Sequence, residues 1–264
     1  MIYKADLHIH SCLSPCASLD MSPLAIVTRA KEVGLNCLAL TDHNSAGNCA
    51  AMGRLCAREG VLFFPGLEVT TAEEAHIVCL FGEVEAAVEL GRMVYEALPH
   101  IDNVPEKTGD QVLVNEEDEV EGFEERYLGM ATLFTVDDLR ERVAALGGLF
   151  IAAHIDRPCF SVVSQLGFLS GEFSAAELSR AGAMREEARR LAGGYAKVTA
   201  SDSHYIHTIG SAYVEFEADE ANITGYRQAL LDRRVKLAAL DNAFRTAPGT
   251  GSDGQGPGLK PAPA

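Results

Sequence analysis

Residues 3–10 read YKADLHIH. The stretch YKADLHI has the apolar spacing of a β-strand, and in a strand successive side chains point to opposite faces. His8 and His10 therefore share one side and Ile9 takes the other. Two neutral imidazoles on one face can grip a single divalent cation, with carboxylates completing its shell. The rest of the chain then has to bring carboxylates and further imidazoles to the same side.

It does so in a regular way. His43 ends the run NCLALT, in ALTDH; Glu68 follows FFPGL; His76 begins AHIVCLF; His154 ends FIAAH; Asp202 and His204 follow KVTA, in SDSH. Six of the eight histidines thus lie at or beside strand ends, while His100 falls in a loop and His207 just beyond His204. At the C-terminal ends of the parallel strands of a barrel, side chains converge on one mouth. One histidine at a strand end is ordinarily a satisfied polar group, and HxH alone is a weak motif. A purely structural role for the whole set would need many buried polar groups, each with its own partner.

The segments between these motifs read as helices. MSPLAIVTRAKEVG has Ser22 as N-cap, Pro23 in the first turn and Gly34 as the stop; AGNCAAMGRLCAREG ends at Gly60. EVEAAVELGRMVYEAL is a third helix, and TVDDLRERVAALGG a fourth, with Thr135 and Asp138 in capping-box spacing. AAELS is a further buried strand; SAYVEFE, a helix around Tyr226–Asp232 and RVKLAAL close the fold. Repeated β–α units with nearly continuous apolar strands predict a parallel sheet flanked by helices, and about seven units favour barrel-like closure. Two stretches break the rhythm. Residues 100–130 are polar and acidic, with QVLVNEEDEVEG shaped for a hairpin, and are expected to be an insertion in a single domain spanning 1–242. The Gly- and Pro-rich stretch 246–264 is expected to be disordered.

Composition narrows the function. With 264 residues the chain can bury one large core, and its 47% hydrophobic content is ordinary. No apolar run is long enough for a membrane span, and no basic region precedes an apolar N-terminal stretch, so a cytoplasmic protein without a secretion signal or membrane partner is expected. Seven cysteines in apolar context read as reduced thiols. A formal net charge of −16 disfavours long nucleic acid, yet leaves room for a small phosphate ester where bound cations invert the local potential.

With these motifs in this order, the chain resembles the PHP (polymerase and histidinol phosphatase) superfamily over roughly residues 2–240. The resemblance implies an α/β fold, a distorted (β/α)7 barrel of the PHP type, with two or three divalent metal ions (Zn, Mn or Fe) at its mouth. It implies one metal held by His8, His10, Glu68 and Asp202, a second sharing Glu68 with His76 and His154, and a third at His43 and His204. Where family members with three metals have an aspartate in a stretch like HSxxSDG, this chain has HSCLSPCASLD. Pro15 stands at the expected aspartate, with Cys16 and Asp20 as nearby replacements. Asp42 and Asp6, each close to a ligand histidine, could orient an imidazole.

The chemistry implied is phosphoester hydrolysis of a small phosphorylated substrate through a metal-bridging hydroxide. His43 and His204 would neutralise the leaving oxygen, as ligands or as a general acid, and Arg157, three residues beyond His154, has the fork geometry that suits phosphate. The surface alternative for Arg157 is a salt bridge in an acidic protein. Two other readings stay open: a metal-dependent amidohydrolase-like enzyme, and a metal-binding regulatory module with a degenerate third site. Histidinol phosphate, nucleotide phosphates and short oligonucleotides are all processed within the superfamily. The sequence chooses neither among them nor between oligomeric states.

Overall fold

Three parallel strands open the chain: β1 (Ile2–Asp6), β2 (Cys37–Leu40) and β3 (Leu62–Thr70). They are linked by α1 (Pro23–Glu32) and α2 (Cys49–Glu59). Local sequence fixes both helices. Ser22 Oγ accepts from the Ala25 amide ahead of Pro23, and Gly60 closes α2 in the left-handed conformation that a residue without Cβ adopts at no steric cost. The structure is a computed structural model and describes residues 1–239; the stretch 246–264 lies outside the described residues.

After β3 the chain departs from simple β–α alternation. β4 (His76–Leu80) pairs antiparallel with β3 and, on its other side, antiparallel with β7 (Leu149–Ala152). Parallel pairing then resumes through β8 (Ala175–Leu178) and β9 (Lys197–Thr199), while β10 (Ala212–Glu217) and β11 (Val235–Ala239) add antiparallel strands beside β1. The nine strands run in the order β11-β10-β1-β2-β3-β4-β7-β8-β9, and the two end strands approach each other. The result is the nearly closed, barrel-like α/β sheet that the strand pattern predicts, though the sheet is mixed and not all parallel. The reversal at β4 is what brings His76 to the mouth. Thr70, at the C-terminal end of β3, pairs with His76, so the first residue of the reversed strand lies where its neighbours end.

Both faces of the sheet are apolar. Tyr3, Ala5, Ala39, Phe64, Val78, Leu80 and Ile151 pack together with Tyr226, Ala229 and Leu230 of α8 (Ile223–Leu231). Residues of the opposite parity, including Leu38, Leu40, Ile77, Cys79 and Ala152, pack against Ile26, Met52 and Leu55 of the first two helices and against Leu90 of α3 (Val84–Ala97). A strand covered on both sides must be apolar on both, which is why these runs are continuous. α5 (Val136–Ala145) begins with the Thr135–Asp138 capping box.

Within residues 100–130, β5 (Val112–Val114) and β6 (Val120–Phe123) form a separate two-stranded antiparallel sheet. This segment packs on the loop that follows His10. The Val112 amide donates to the Cys12 carbonyl, and Asn44, next to His43, donates to the carbonyls of Leu128 and Met130. All seven cysteines are free thiols, and no helix of the described residues is long and apolar enough to cross a membrane.

Candidate metal centre

Glu68, 1% exposed, lies at the centre of the mouth. Five imidazole nitrogens surround its carboxylate. Oε1 is 3.3 Å from His8 Nε2, 3.0 Å from His76 Nδ1 and 3.1 Å from His154 Nε2; Oε2 is 3.5 Å from His10 Nε2 and 3.1 Å from His43 Nδ1. Bridges beyond the regular ladders align the segments that carry these rings: His43 pairs with Glu68, and Ile9 with Ser203. Asp202 Oδ1 closes the other side, 3.4 Å from His8 Nε2 and 3.2 Å from His10 Nε2. Two of these residues adopt left-handed backbone, His154 at φ 26° and Asp202 at φ 51°, conformations that cost free energy in a residue with a side chain and cluster where a site requires them.

Hydrogen bonds fix the ring nitrogens of the opening motif. His8 Nδ1 lies 3.0 and 3.1 Å from the two oxygens of Glu177, so it carries the proton and donates. His10 Nδ1 lies 3.0 Å from Ser14 Oγ, whose own proton goes to Asp42 Oδ1 at 2.7 Å. His10 therefore donates to Ser14. In the neutral rings both Nε2 atoms carry lone pairs, and these face each other at 3.2 Å beside two carboxylates. Lone pairs held this close in a buried site repel unless a proton or a metal ion sits between them, so both nitrogens are available to a cation that displaces the proton. His43 Nδ1 and His76 Nδ1 approach Glu68 without hydrogen-bond geometry, and with His154 Nδ1 they are buried nitrogens with no hydrogen bond. A donor set of imidazoles and carboxylates with uncommitted nitrogens fits divalent metal ions, and His8, His10 and Glu68, or His43, Glu68 and His76, can each present three ligand atoms to one ion.

The same packing sets the protonation of the metal-free site. Burial opposes charge on Glu68, but the imidazoles of His76, His8 and His43 hold its carboxyl well below the usual range. Burial likewise opposes charge on His8, yet Glu177, Glu68 and Asp202 carry it well above an ordinary imidazole. Burial, joined by His204 and His43, pushes His10 well below. For His43 burial is outweighed by Glu68 and by Cys16, and its pKa rises to about 10. Asp202, despite burial, is held low by His8 and His10.

The other residues singled out by their sequence pattern divide in location and role. Arg157 Nη2 lies 2.6 Å from Asp202 Oδ2, while Oδ1 faces His8 and His10, and the guanidinium is half-exposed. Asp42 acts on His10 through Ser14, and also accepts from the Ser11 amide and hydroxyl. Asp6 orients no imidazole: it accepts from the amides of Ser201 and Gly210, tying the end of β1 to the loop that carries Asp202 and His204. His204 donates Nδ1–H to the Asp202 carbonyl at 2.9 Å, and its ring stacks on His10 at 4.2 Å between centroids. His100 bonds Arg126 away from the cluster. Asp20 is exposed and lines a surface groove with Leu19, Asp110 and Val112. Sequence reasoning missed Glu177 and Ser14. Glu177, 3% exposed, also accepts from the His154 amide at 3.2 Å, so one carboxylate positions two of the rings. Its signal was a lone acid inside the apolar strand AAEL.

Comparison with known proteins shows similarity in family and in fold. A stretch of 77 residues is 36% identical to the 3',5'-nucleoside bisphosphate phosphatase of Chromobacterium violaceum, covering 29% of this chain and 26% of that one. Among solved structures, the lesion-specific endonuclease of Pyrococcus furiosus matches with a TM-score of 0.64 at 19% identity, over 91% of this chain and 60% of that chain. A protein of Bifidobacterium adolescentis assigned as a metal-dependent phosphoesterase matches with a TM-score of 0.57 at 15% identity, over 91% and 98%. At such identities the structural likeness speaks for the fold. The chain thus spans about a quarter of the curated relative and three-fifths of the endonuclease. The model of the PHP domain matches residues 6–208, the range that holds every residue around Glu68, and that of the PHP-associated region matches 185–235. The chain belongs to the PHP domain family.

Proposed function

We propose that this protein is a metal-dependent phosphoesterase that hydrolyses a small phosphorylated molecule. The observation that carries the reading is the single carboxylate of Glu68 ringed by five imidazole nitrogens. His8, His10, Glu68 and Asp202 would hold one divalent ion and Glu68, His76 and His154 a second. Bound there, such ions would acidify a water and neutralise phosphoryl oxygens as charge develops. The protein's own part is orientation. Glu177 and Ser14 hold the lone pairs of His8 and His10 toward the centre, so little reorganisation is needed when cation and substrate arrive. Arg157, half-exposed beside Asp202, presents its free guanidinium edge to a phosphate at the mouth. His43 and His204, on either side of the His10 ring, would neutralise the leaving oxygen.

Two features support a small substrate. The net charge is −16, and the hairpin beside the mouth carries Glu116, Glu117, Asp118, Glu119 and Glu121, a field that repels a long polyanion. The short match to a nucleoside bisphosphate phosphatase makes nucleoside phosphates the first class to test. The test is phosphate release from nucleoside mono- and bisphosphates, set against cleavage of long single-stranded and duplex DNA, including a duplex with an abasic site, each with Mn, Zn and Fe added separately. Faster turnover of the small esters is expected. Preference for the long duplex would overturn the substrate class while leaving the phosphoesterase assignment, and activity on neither would overturn both.

A further inference from the structure

We propose that a basic cavity at the end of the barrel opposite Glu68, lined by Arg189, Lys197, Arg233 and Lys236, binds a small molecule that carries a diphosphate group.

The cavity sits where the sheet closes on itself. Lys197 begins β9 and Val235 begins β11, the two end strands that approach each other. The residues around Glu68 lie past the other ends of the strands, as His8 does after β1 and Asp202 after β9. Arg189 comes from α7 (Glu186–Leu191) and Arg233 from the turn after α8. Between them lies a cavity of about 440 Å³, within the size range of small-molecule pockets, and none of its lining residues is acidic. That is unexpected in a chain of net charge −16. Neighbouring cations find carboxylates: Arg185 pairs with Asp156 at 3.2 Å, Arg190 with Glu186 at 3.4 Å and Arg234 with Asp232 at 3.0 Å. Among the described residues, none of the four cavity cations makes an ion pair. Arg189 donates to the Ala183 carbonyl, Lys197 to the Gly193 carbonyl at 3.2 Å and Arg233 to the Gly194 carbonyl. Lys236 stands opposite Glu215 in register, but that carboxylate lies 4.0 Å from Lys4, in the adjoining groove.

The backbone of Arg233 points the same way. α1 and α5 end on one pair of bonds, Gly34 to Lys31 with Leu35 to Ala30, and Gly147 to Ala144 with Gly148 to Val143, and the first glycine of each pair is left-handed at φ 78° and φ 71°. α8 ends on the same pair. The Arg233 amide donates to the Leu230 carbonyl and the Arg234 amide to the Ala229 carbonyl, yet the left-handed residue, at φ 57°, is an arginine. A Cβ in this conformation crowds its own backbone, so glycine would close the helix at lower cost. Strain of this kind persists where the side chain is needed, and here the side chain is a guanidinium at the cavity. Its five donors exceed the one carbonyl it bonds. A phosphate group carries about two negative charges near neutral pH, so two linked phosphates match four fixed cations where one does not. Arginine forks suit phosphate oxygens, and the two lysines add point charges. Inorganic diphosphate and a nucleoside diphosphate share this chemistry.

The experiment is calorimetric titration of the full-length protein, freed of metal and then of chelator, with orthophosphate, inorganic diphosphate and adenosine diphosphate as probes. Saturable binding of the diphosphates is expected, roughly tenfold or more tighter than orthophosphate and weakening as salt is raised. Tighter binding of adenosine diphosphate assigns a nucleotide to the cavity, and equal or weaker binding assigns the inorganic ion. Arg233→Gly decides between a ligand role and a structural one, because glycine takes the turn without strain. Its melting temperature should hold or rise while diphosphate affinity falls roughly tenfold or more. Lys197→Gln should weaken binding in a folded protein, and Arg157→Ala, at the other end of the barrel, should leave it unchanged. Absence of saturable binding, wild-type affinity in both Arg233→Gly and Lys197→Gln, or loss of binding in Arg157→Ala overturns the proposal. Phosphate release from nucleoside bisphosphates reads the mouth alone, so either reading can fail without the other.

Discussion

Both oxygens of Glu177 lie within 3.1 Å of His8 Nδ1, and one of them also accepts from the His154 amide. The carboxylate thus sets the proton on one imidazole and the backbone of another, from a strand that contributes no residue to the cluster itself. Glu177→Gln should keep the fold, because an amide of the same shape can still accept from the His154 amide. It loses the charge that holds His8 in place. Metal affinity is expected to fall roughly 10- to 100-fold, the usual cost of losing such a partner. Competition with a chromogenic chelator measures this, with circular dichroism as the control. Wild-type affinity in Glu177→Gln would remove its positioning role.

Glu68 faces five ring nitrogens, so its replacement touches both ions proposed to share it. Glu68→Gln should abolish turnover and lower metal content by more than any single histidine variant. A variant with wild-type turnover would show that the carboxylate does not bridge.

How much of this was legible in the sequence depends on how local each signal is. The alternation in HIH, the caps at Ser22, Gly60 and Thr135, and the continuous apolar strands are set by neighbouring residues, and the structure has the helices and the barrel-like sheet they imply. The antiparallel turn of β4 was not legible, since an apolar strand reads the same in either direction and only its pairing with β3 gives His76 its place. Glu177 was missed because its partner is 169 residues away, across the sheet. Asp6 looked like an orienting residue by proximity, yet its carboxylate turns to the amides of Ser201 and Gly210.

Arg157 pairs with Oδ2 of Asp202 and keeps part of its guanidinium in solvent. Arg157→Ala should lower kcat/KM roughly 10- to 100-fold, in line with the loss of a charge-assisted hydrogen bond of about 1.5–3 kcal/mol. The loss should appear mainly in KM if the contact is equal in ground and transition states. Arg157→Lys should recover only part, because an ammonium lacks the planar fork. Unchanged kinetics in Arg157→Ala would return the residue to the role of a surface ion pair.

Metal uptake should depend on pH in a defined direction. In the metal-free protein His8 lies well above an ordinary imidazole, His43 is raised to about 10 and His204 is raised, all opposed by burial but favoured by neighbouring acids or by the Cys16 thiol. His8 and His43 therefore hold protons at neutral pH that an incoming cation must displace. His10 and His76, both lowered chiefly by burial, have none to give. Binding therefore releases protons, and apparent affinity should rise steadily between about pH 6 and pH 8. Calorimetry in two buffers of different ionisation enthalpy counts the protons. Binding without proton release would contradict the charge assignments.

The central claim is that the residues around Glu68 serve hydrolysis through bound divalent ions. The most direct measurement is phosphate release from a nucleoside bisphosphate before chelation, after exhaustive chelation and after add-back of Mn, Zn or Fe, with metal content followed at each stage. The account predicts at least two ions per chain in the active protein, loss of turnover when they are removed, and recovery with at least one of the three metals. Undiminished turnover in protein shown to be metal-free would contradict it.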